Sequence, residues 1–130
     1  MVRWENPGPW YGRFRDRLRF EVPARTKIPG LRSRRRPQGR GWQYLLSVKP
    51  PGCPTIKVRI DYLLPNPHVP HVIVNGPTDS PHRYHDGTLC MWYPQDPVDR
   101  RWTFSDGLLH LIGLIQVHLI REHLWRETGK

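Results

Sequence analysis

Three short runs in the middle of the chain carry apolar residues in patterns typical of strands. In residues 41–49 and 55–62 apolar and polar side chains alternate, and residues 71–74 form a short β-branched run. Residues 14–22 also alternate, with apolar residues on one parity and mostly charged residues on the other, and are predicted to form a first strand. Because mostly short, proline-containing links separate these runs, the pattern predicts four consecutive antiparallel strands, a meander.

The C-terminal part of the chain has a helical period instead. Apolar residues recur there at i, i+3 and i+4 spacings, at Leu108, Leu111, Ile112, Ile115, Leu119 and Ile120. Ser105 or Asp106 is the expected N-cap, the helix should run to about Arg126, and Thr128-Gly129 should end it. Since sheet and helix each have an apolar side to cover, the sequence predicts an α+β fold with the long helix packed on the sheet.

Three segments lack such a period. Residues 1–12 are rich in proline and glycine and are predicted to be an irregular N-terminal arm, with aromatic side chains that pack onto the edge of the domain: Trp4, Trp10 and Tyr11. Residues 23–40 are predicted to be a long basic loop. Residues 78–103 would form an unusually long loop, which favours a functional one. A chain of 130 residues is most simply a single domain, 1–130.

The chain carries a formal net charge of +10, and this charge is unevenly spread. One cluster lies within residues 13–25, and the 23–40 loop carries five more arginines, Arg32, Arg34, Arg35, Arg36 and Arg40. A surface of this kind favours an acidic partner, so these five arginines are the candidate partner-binding residues. A solvated basic loop would explain the same composition. Nucleic acid is not expected as a partner, because the chain contains no recognised nucleic-acid-binding motif.

The first residues and the cysteines indicate the cellular compartment in which the protein is expected. Charged residues and prolines occupy the positions where a signal peptide would have its apolar core, and no run of about 18 apolar residues could span a membrane. The protein is therefore expected to be cytoplasmic and not membrane-bound. Cys53 and Cys90 could pair in an oxidising compartment, but both are expected to be reduced thiols in the cytoplasm.

The candidate chemistry lies in residues 82–90, which read His-Arg-Tyr-His-Asp-Gly-Thr-Leu-Cys. Asp86-Gly87 is a turn signal, and Cys90 follows it at the start of a polar loop. A thiol needs little activation to form a thioester, so Cys90 is a candidate nucleophile. A buried, inert structural thiol is the alternative interpretation of the same residue.

Two further interpretations of this segment remain open from the residues alone. His82, His85 and Cys90 have the spacing H-x2-H-x4-C, but no tight pair of further ligands completes a zinc site. A Cys-His-Asp hydrolase would need a histidine and an acid that converge on Cys90, and no separate region offers an obvious general base. No metal and no cofactor is therefore predicted.

The segment and its surroundings resemble the ubiquitin-conjugating enzymes. The resemblance rests on His82, Tyr84, Asp86-Gly87 and Leu89-Cys90, followed by a proline-containing segment, a tryptophan and a long apolar helix. In that family a His-Pro-Asn motif precedes the catalytic cysteine by about ten residues. Here the histidine lies two positions closer, and a tyrosine stands where the motif has asparagine.

The bacterial branch of that family is the closer likeness. The chain resembles stand-alone conjugating proteins of bacterial antiphage systems (the short type II form of CBASS). The resemblance rests on the cysteine motif and on the end of the long helix, Arg121-Glu122 and residues 125–129. The likeness covers residues 42–129. It implies that Cys90 carries a protein C-terminus as a thioester and passes it to an amine, usually a lysine. The implied acyl donor is a cGAS-like cyclic-oligonucleotide synthase or a ubiquitin-like protein, and an activating enzyme is an implied partner.

The resemblance also implies roles for neighbouring residues. His82 would brace the loop, Tyr84 would take the position of the family's oxyanion donor, and Asp96 and Asp99 would orient an incoming lysine. The sequence shows no N-terminal amphipathic helix, the family's usual docking site for its activating enzyme. A non-catalytic basic scaffold that holds a synthase or another acidic partner is the alternative function.

Overall fold

The computed structural model describes residues 8–93 and 95–129. Its helices and strands are α1 (Phe14–Lys27), β1 (Arg32–Arg35), β2 (Gly41–Val48), β3 (Ile56–Leu63), β4 (Pro70–Val74) and α2 (Leu108–Thr128). The strands pair antiparallel in chain order, β1-β2-β3-β4. The predicted α+β fold with a four-stranded antiparallel meander and a long C-terminal helix is therefore confirmed.

Strands β2, β3 and β4 lie within one or two residues of their predicted positions. Their alternation holds in three dimensions, because the residues of one parity form the inner face of the sheet. These are Trp42, Tyr44, Leu46, Val48, Val58, Ile60, Tyr62, Val72 and Val74, all of them buried. Buried residues of α2 belong to the same apolar cluster, so the helix covers this face of the sheet.

The prediction of a strand at residues 14–22 is wrong, because α1 occupies this segment and continues to Lys27. The chain therefore has a helix near its N-terminus that the pattern did not predict. Glu21 is buried between two arginines, Arg17 at 3.4 Å and Arg25 at 2.7 Å, each one helical turn away. In a helix such i, i+4 residues lie in contact on one face, whereas in a strand they share a face but lie about 13 Å apart, too far for one carboxylate to meet both arginines. Residues 14–22 alternate as a strand would, but apolar residues such as Phe14 are exposed in α1. Their positions therefore do not show which side of the element is buried.

Packing also stabilises α1 around its internal proline. Pro23 removes one backbone donor from the helix. On the buried side, Phe20 stacks on Phe104 with ring centroids 4.4 Å apart, and Ala24 is fully buried. Tertiary contacts therefore offset a residue that local propensity disfavours.

The prediction that residues 23–40 form one long basic loop is also wrong, because parts of this segment lie in a helix and in a strand. Helix α1 takes its first residues, and β1 takes Arg32–Arg35 as an edge strand of the sheet. A run of four residues with three arginines has no apolar alternation and therefore carries no strand signal. Backbone pairing with β2 defines this strand, and the charged side chains suit an exposed sheet edge.

The N-terminal arm is likewise less irregular than predicted. Residues Trp10–Gly12 form a short 3-10 turn, and Trp10 and Tyr11 are among the most buried side chains of the protein. The indole N–H of Trp10 donates to the carbonyl of Pro67 at 2.6 Å. These two aromatic residues therefore belong to the core and not to its edge. Trp4 lies outside the described residues.

Helix α2 ends as predicted and begins differently. Gly129 adopts a left-handed conformation after Thr128 and caps the C-terminus. The N-cap is Gly107 and not Ser105 or Asp106. Asp106 instead belongs to a capping box with Thr103 that closes a preceding 3-10 turn, Phe104–Asp106. Among the described residues, neither helix combines the length and apolar character that a bilayer-spanning segment needs.

Replacing Gly41 with alanine is expected to destabilise the fold by about 1–3 kcal/mol. Gly41 has φ +140°, and a Cβ atom would collide with the backbone carbonyl of Tyr62 on the paired strand. Urea unfolding would measure the loss. The matched control is Gly113→Ala, since Gly113 lies exposed within α2 with open space around it and should gain stability. Equal stability of the Gly41→Ala variant and the wild type would contradict the prediction.

Candidate functional site

Residues 82–90 form a small hairpin that presents Cys90. The backbone N–H of Cys90 donates to the carbonyl of His82 at 2.9 Å, and that of Tyr84 donates to Thr88 at 2.9 Å. The return half of the hairpin is joined to the sheet, because the N–H of Leu89 donates to Val72 of β4 at 3.0 Å. The thiol is thus fixed at the β4 edge by main-chain hydrogen bonds.

The turn predicted at Asp86-Gly87 is present. Gly87 has φ +89° and its N–H donates to the carbonyl of Tyr84 at 2.8 Å. The Asp86 carboxylate accepts both the N–H and the hydroxyl of Thr88, at 3.0 and 2.7 Å. These hydrogen bonds lower the pKa of Asp86, so the turn keeps its charged acceptor down to mildly acidic pH.

Cys90 is a free, half-buried thiol at the wall of a cavity of about 250 Å³. The cavity lies between the hairpin, the following loop and α2, and its walls include His82, Asp96, His118 and Trp92. Cys53, in contrast, is buried in the turn between β2 and β3. The half-exposed position at a cavity sets Cys90 apart from an inert core thiol.

The side chain of Tyr84 lies against that of Cys90. Partial burial, a hydrogen-bonding contact with Cys90 and the nearby charges of Cys90 and Asp86 raise the pKa of Tyr84 to about 12. Its phenol therefore remains a hydrogen-bond donor throughout the neutral range. The Tyr84 hydroxyl and the Cys90 thiol also approach one acceptor, the carbonyl of Trp92, at 3.5 and 3.9 Å. The structure thus brings a donor hydroxyl next to the thiol.

The hydrogen bond between His82 and Cys90 is made by backbone atoms. Its carbonyl accepts the N–H of Cys90, and its own N–H donates to the hydroxyl of Ser80 at 3.1 Å. The imidazole is exposed and lies edge-on to His118 of α2, with ring centroids 6.1 Å apart. The described contacts that stabilise the hairpin at His82 are therefore main-chain contacts, beside a ring that lines the cavity.

The structure separates the two acids of the following loop. Asp96 is half-buried and lines the Cys90 cavity, where its carboxylate accepts the N–H of Tyr93 at 3.0 Å. Asp99 lies exposed in the 3-10 turn Val98–Arg100 and does not line that cavity. Only Asp96 is thus placed to meet a group that approaches the thiol.

The five arginines predicted to bind a partner lie far from the thiol. They occupy β1 and its flanks, at the opposite edge of the sheet from β4 and the hairpin. They also divide between the two faces of the sheet. Arg32, Arg34 and Arg36 have the parity of the outer face, where Arg36 approaches Asp61 at 3.8 Å, whereas Arg35 lies over the Tyr11 ring on the inner face. Arg40 is exposed in the loop that follows.

An ion pair that the sequence did not reveal joins the hairpin to α2. The Arg83 guanidinium makes a bidentate contact with the Glu122 carboxylate, at 2.6 and 2.8 Å. Both side chains are almost fully buried, with exposed fractions of 3% and 2%. A third N–H of Arg83 donates to the carbonyl of Gly87 at 2.8 Å, so the same guanidinium also holds the turn.

The Glu122 carboxylate is surrounded by donors. Burial by itself would raise its pKa, but hydrogen bonds from Arg83, His118 and Ser80, with the charge of Arg83, outweigh burial and bring the pKa well below its usual range. His118 lies one turn earlier on α2, at 3.2 Å. The result is a charged cluster beneath the cavity that ties hairpin and helix together.

Sequence reasoning missed this cluster because its members are far apart in the chain. Arg83 and Glu122 are separated by 39 residues, and no local pattern around either residue points to the other. The available signal was the apolar arc of α2, which places Glu122 on the buried side with Leu111, Ile115 and Leu119. An acid on the buried side of a helix predicts a buried partner.

A second cavity, of about 650 Å³, lies next to the first, and Cys90 does not line it. It shares Met91 and Trp92 with the first cavity, and its remaining walls include Tyr84, Trp102 and Phe104. Within residues 8–93 and 95–129, no three histidine, cysteine or acidic side chains cluster closely enough to hold a metal ion.

The described residues form an α+β fold in which a free thiol lies at a cavity wall with a phenol next to it. Set against known proteins, the sequence matches no family model and no curated protein at a significant level, and no solved structure matches it either.

Proposed function

We propose that the protein is a ubiquitin-conjugating-enzyme-like acyl carrier in which Cys90 is the nucleophile. The Cys90 sulfur attacks the carbonyl carbon of an incoming thioester and expels the donor thiol, which takes up the proton that Cys90 loses. An amine, such as a lysine side chain, then attacks the Cys90 thioester. An amide forms, the C–S bond breaks, and the Cys90 thiol is regenerated when the amine proton passes to the sulfur.

The observation that carries this proposal is the presentation of Cys90. A free thiol stands half-exposed at a cavity, at the end of a hairpin held by four main-chain hydrogen bonds and by the buried Arg83–Glu122 pair. A rigid support of this kind suits a nucleophile that must meet two large substrates in turn.

The order of elements supports the same proposal. An N-terminal helix, a four-stranded meander, a cysteine hairpin and a long helix follow one another in the arrangement implied by the likeness to conjugating enzymes. Helix α1 removes one departure from that likeness, because it supplies a candidate docking helix for an activating enzyme. Its exposed residues include Phe14, Arg15 and Arg19, which give it a basic surface.

The bacterial branch of the family supplies the proposed partners. The acyl donor would be the C-terminus of a cGAS-like cyclic-oligonucleotide synthase or of a ubiquitin-like protein, in cytoplasmic antiphage defence. In this proposal Asp96, at the cavity, orients the incoming amine, and Asp99 lies too exposed to share that role.

Mass spectrometry of the protein co-expressed with a cGAS-like synthase would test the proposal. The expected result is a covalent adduct on Cys90 that a thiol reductant releases and that Cys90→Ala lacks. An adduct that persists in Cys90→Ala, or a wild-type protein that never carries one, would count against acyl transfer.

Replacing Tyr84 with phenylalanine is expected to slow amine attack on the Cys90 thioester by roughly 10²–10³-fold, if the phenol donates to the carbonyl oxyanion. The aromatic ring is kept, and only the donor beside the sulfur is lost. Single-turnover discharge of preloaded protein to free lysine would measure the rate. Tyr93→Phe is the matched control, because it removes the phenol of an exposed tyrosine that also lines the Cys90 cavity but has no described contact with the sulfur. Equal discharge rates for all three proteins would remove Tyr84 from the mechanism.

A non-catalytic scaffold is the second candidate function, and the position of the β1 arginines favours it. Arg32 and Arg34 project from the outer face at the sheet edge remote from Cys90, where they could hold an acidic partner without any use of the thiol. In that case Arg32→Gln/Arg34→Gln would abolish partner binding and Cys90→Ala would leave it intact.

A further inference from the structure

The Cys90 cavity has a cationic wall that the proposed acyl transfer does not require. Arg100, from the 3-10 turn after the cysteine loop, and Arg121, from α2, both line it. Within the described residues neither guanidinium has an ion pair or a side-chain hydrogen bond, in contrast to the nearby Arg83, which is paired with Glu122. Two segments far apart in sequence thus bring unpaired positive charge to the wall that holds the thiol.

The acids of the cavity do not cancel this charge. Glu122 is buried and committed to Arg83 in a bidentate pair. Asp96 carries a negative charge, but its carboxylate is held by the N–H of Tyr93 and its carbonyl accepts the Arg101 guanidinium at 3.0 Å. Two free guanidiniums therefore face at most one carboxylate, and an anionic group would complete the site.

The size of the cavity limits what this anion can belong to. At about 250 Å³ it is smaller than the roughly 300–1,000 Å³ of a site for a drug-sized ligand. A short piece of extended chain that ends at the thiol would fit, and a folded surface would not. An extended chain advances about 3.3–3.6 Å per residue, so a side chain near the guanidiniums belongs to one of the last few residues before the thioester.

We propose, resting on the acyl transfer proposed above, that the acyl donor carries an acidic side chain within its last few residues and that Arg100 and Arg121 bind it. The guanidiniums hold this carboxylate while the C-terminal carbonyl carbon meets the Cys90 sulfur. The same charges disfavour a donor tail that carries a lysine at this position. The subsite therefore selects the donor by its tail.

Synthetic peptides test the subsite directly. Three peptides with the same length and a neutral alkyl thioester would carry Asp, Asn or Lys at the second residue from the C-terminus. Acylation of Cys90 is followed by intact mass at constant ionic strength. The Asp peptide is expected to acylate the wild type about tenfold faster than the Asn peptide and to exceed the Lys peptide further.

Charge variants give the decisive comparison. Arg100→Gln/Arg121→Gln should acylate equally with the Asp and Asn peptides, and Arg100→Glu/Arg121→Glu should prefer the Lys peptide. Lys27→Gln/Lys57→Gln removes the same charge at two exposed positions outside the cavity and should keep the Asp preference. Equal rates for Asp and Asn peptides in the wild type, or loss of the preference in this control, would overturn the subsite.

A binding measurement separates the two proposals. The same peptides made as C-terminal amides cannot acylate, but a bound peptide should protect Cys90 from alkylation by iodoacetamide, which is uncharged. Protection by the Asp amide, reduced about tenfold in Arg100→Gln/Arg121→Gln, would support the subsite even if no thioester peptide acylated Cys90. Acylation without any Asp preference would overturn the subsite and leave acyl transfer standing.

Discussion

Cys90→Ser is expected to lose transfer of the acyl group to amines by at least about a thousandfold, while it traps a small amount of a reductant-stable ester. A hydroxyl at this position keeps the size and hairpin hydrogen bonds of Cys90, but it is a much weaker nucleophile at neutral pH than a thiol. An oxygen ester, once formed, is also less reactive toward amines than a thioester. Intact mass before and after treatment with a reductant distinguishes the two adducts.

Cys53→Ser is the matched control for this experiment. Cys53 is the other free thiol, but it lies buried in a turn remote from the cavity. This variant should carry the same reductant-sensitive adduct as the wild type, provided that it folds, which circular dichroism would verify. Loss of the adduct in a folded Cys53→Ser protein, or full transfer activity in Cys90→Ser, would show that Cys90 is not the nucleophile.

Glu122→Leu is expected to destabilise the protein by about 3–5 kcal/mol, a large fraction of the roughly 5–15 kcal/mol that typically stabilises a domain. The substitution leaves the Arg83 guanidinium buried, with an exposed fraction of 3%, and without its counter-charge. Urea unfolding followed by tryptophan fluorescence would measure the change. Alkylation of Cys90 in the folded variant should also become faster or slower, because Arg83 holds the Gly87 carbonyl of the hairpin.

Two variants make this prediction specific. Arg83→Met/Glu122→Leu removes both charges and should recover most of the lost stability, since an apolar pair can replace a buried ion pair. Glu127→Ala removes an exposed acid of the same helix that pairs with His123 at 3.2 Å, and should change stability by no more than about 0.5 kcal/mol. A Glu122→Leu protein as stable as the Glu127→Ala protein would contradict a structural role for the pair.

Because of the Arg83–Glu122 pair, we expect the folded protein to lose stability as the pH falls. Because the folded state lowers the pKa of Glu122 below 4.5, its contribution is complete above about pH 4.5 and is lost as pH falls from there toward the folded-state pKa. The difference in unfolding free energy between the wild type and Arg83→Met/Glu122→Leu should therefore move in favour of the double variant below pH 4.5. A difference that stays constant between pH 7 and pH 3 would contradict the assignment.

The reliable part of the sequence prediction was the part in which burial and local periodicity agree. Strands β2 and β3 alternate because one face meets the core, and α2 repeats its apolar residues because one side meets the sheet. The Asp86-Gly87 turn was predictable because Gly87 supplies the positive φ that the turn needs. In each case the signal lies within a few neighbouring residues.

The prediction failed where the buried side of an element is narrow or absent. Helix α1 buries only Phe20, Glu21 and Ala24, and its exposed Phe14 and Val22 imitate the alternation of a strand. Strand β1 buries almost nothing and is a strand because β2 offers it backbone partners. Local pattern carries no information about a partner that arrives from another part of the chain.

The sequence by itself determined strands β2 to β4, the long C-terminal helix and the segment of the candidate thiol, because these depend on the order of apolar residues and on turn chemistry. Only the tertiary structure decided that residues 14–27 are helical, that Arg83 and Glu122 meet, and that Arg100 and Arg121 face the Cys90 cavity. The physical reason is the distance along the chain between the groups that interact. Charge pairing and cavity walls are made by groups dozens of residues apart, and their energy exists only once the chain has brought them together.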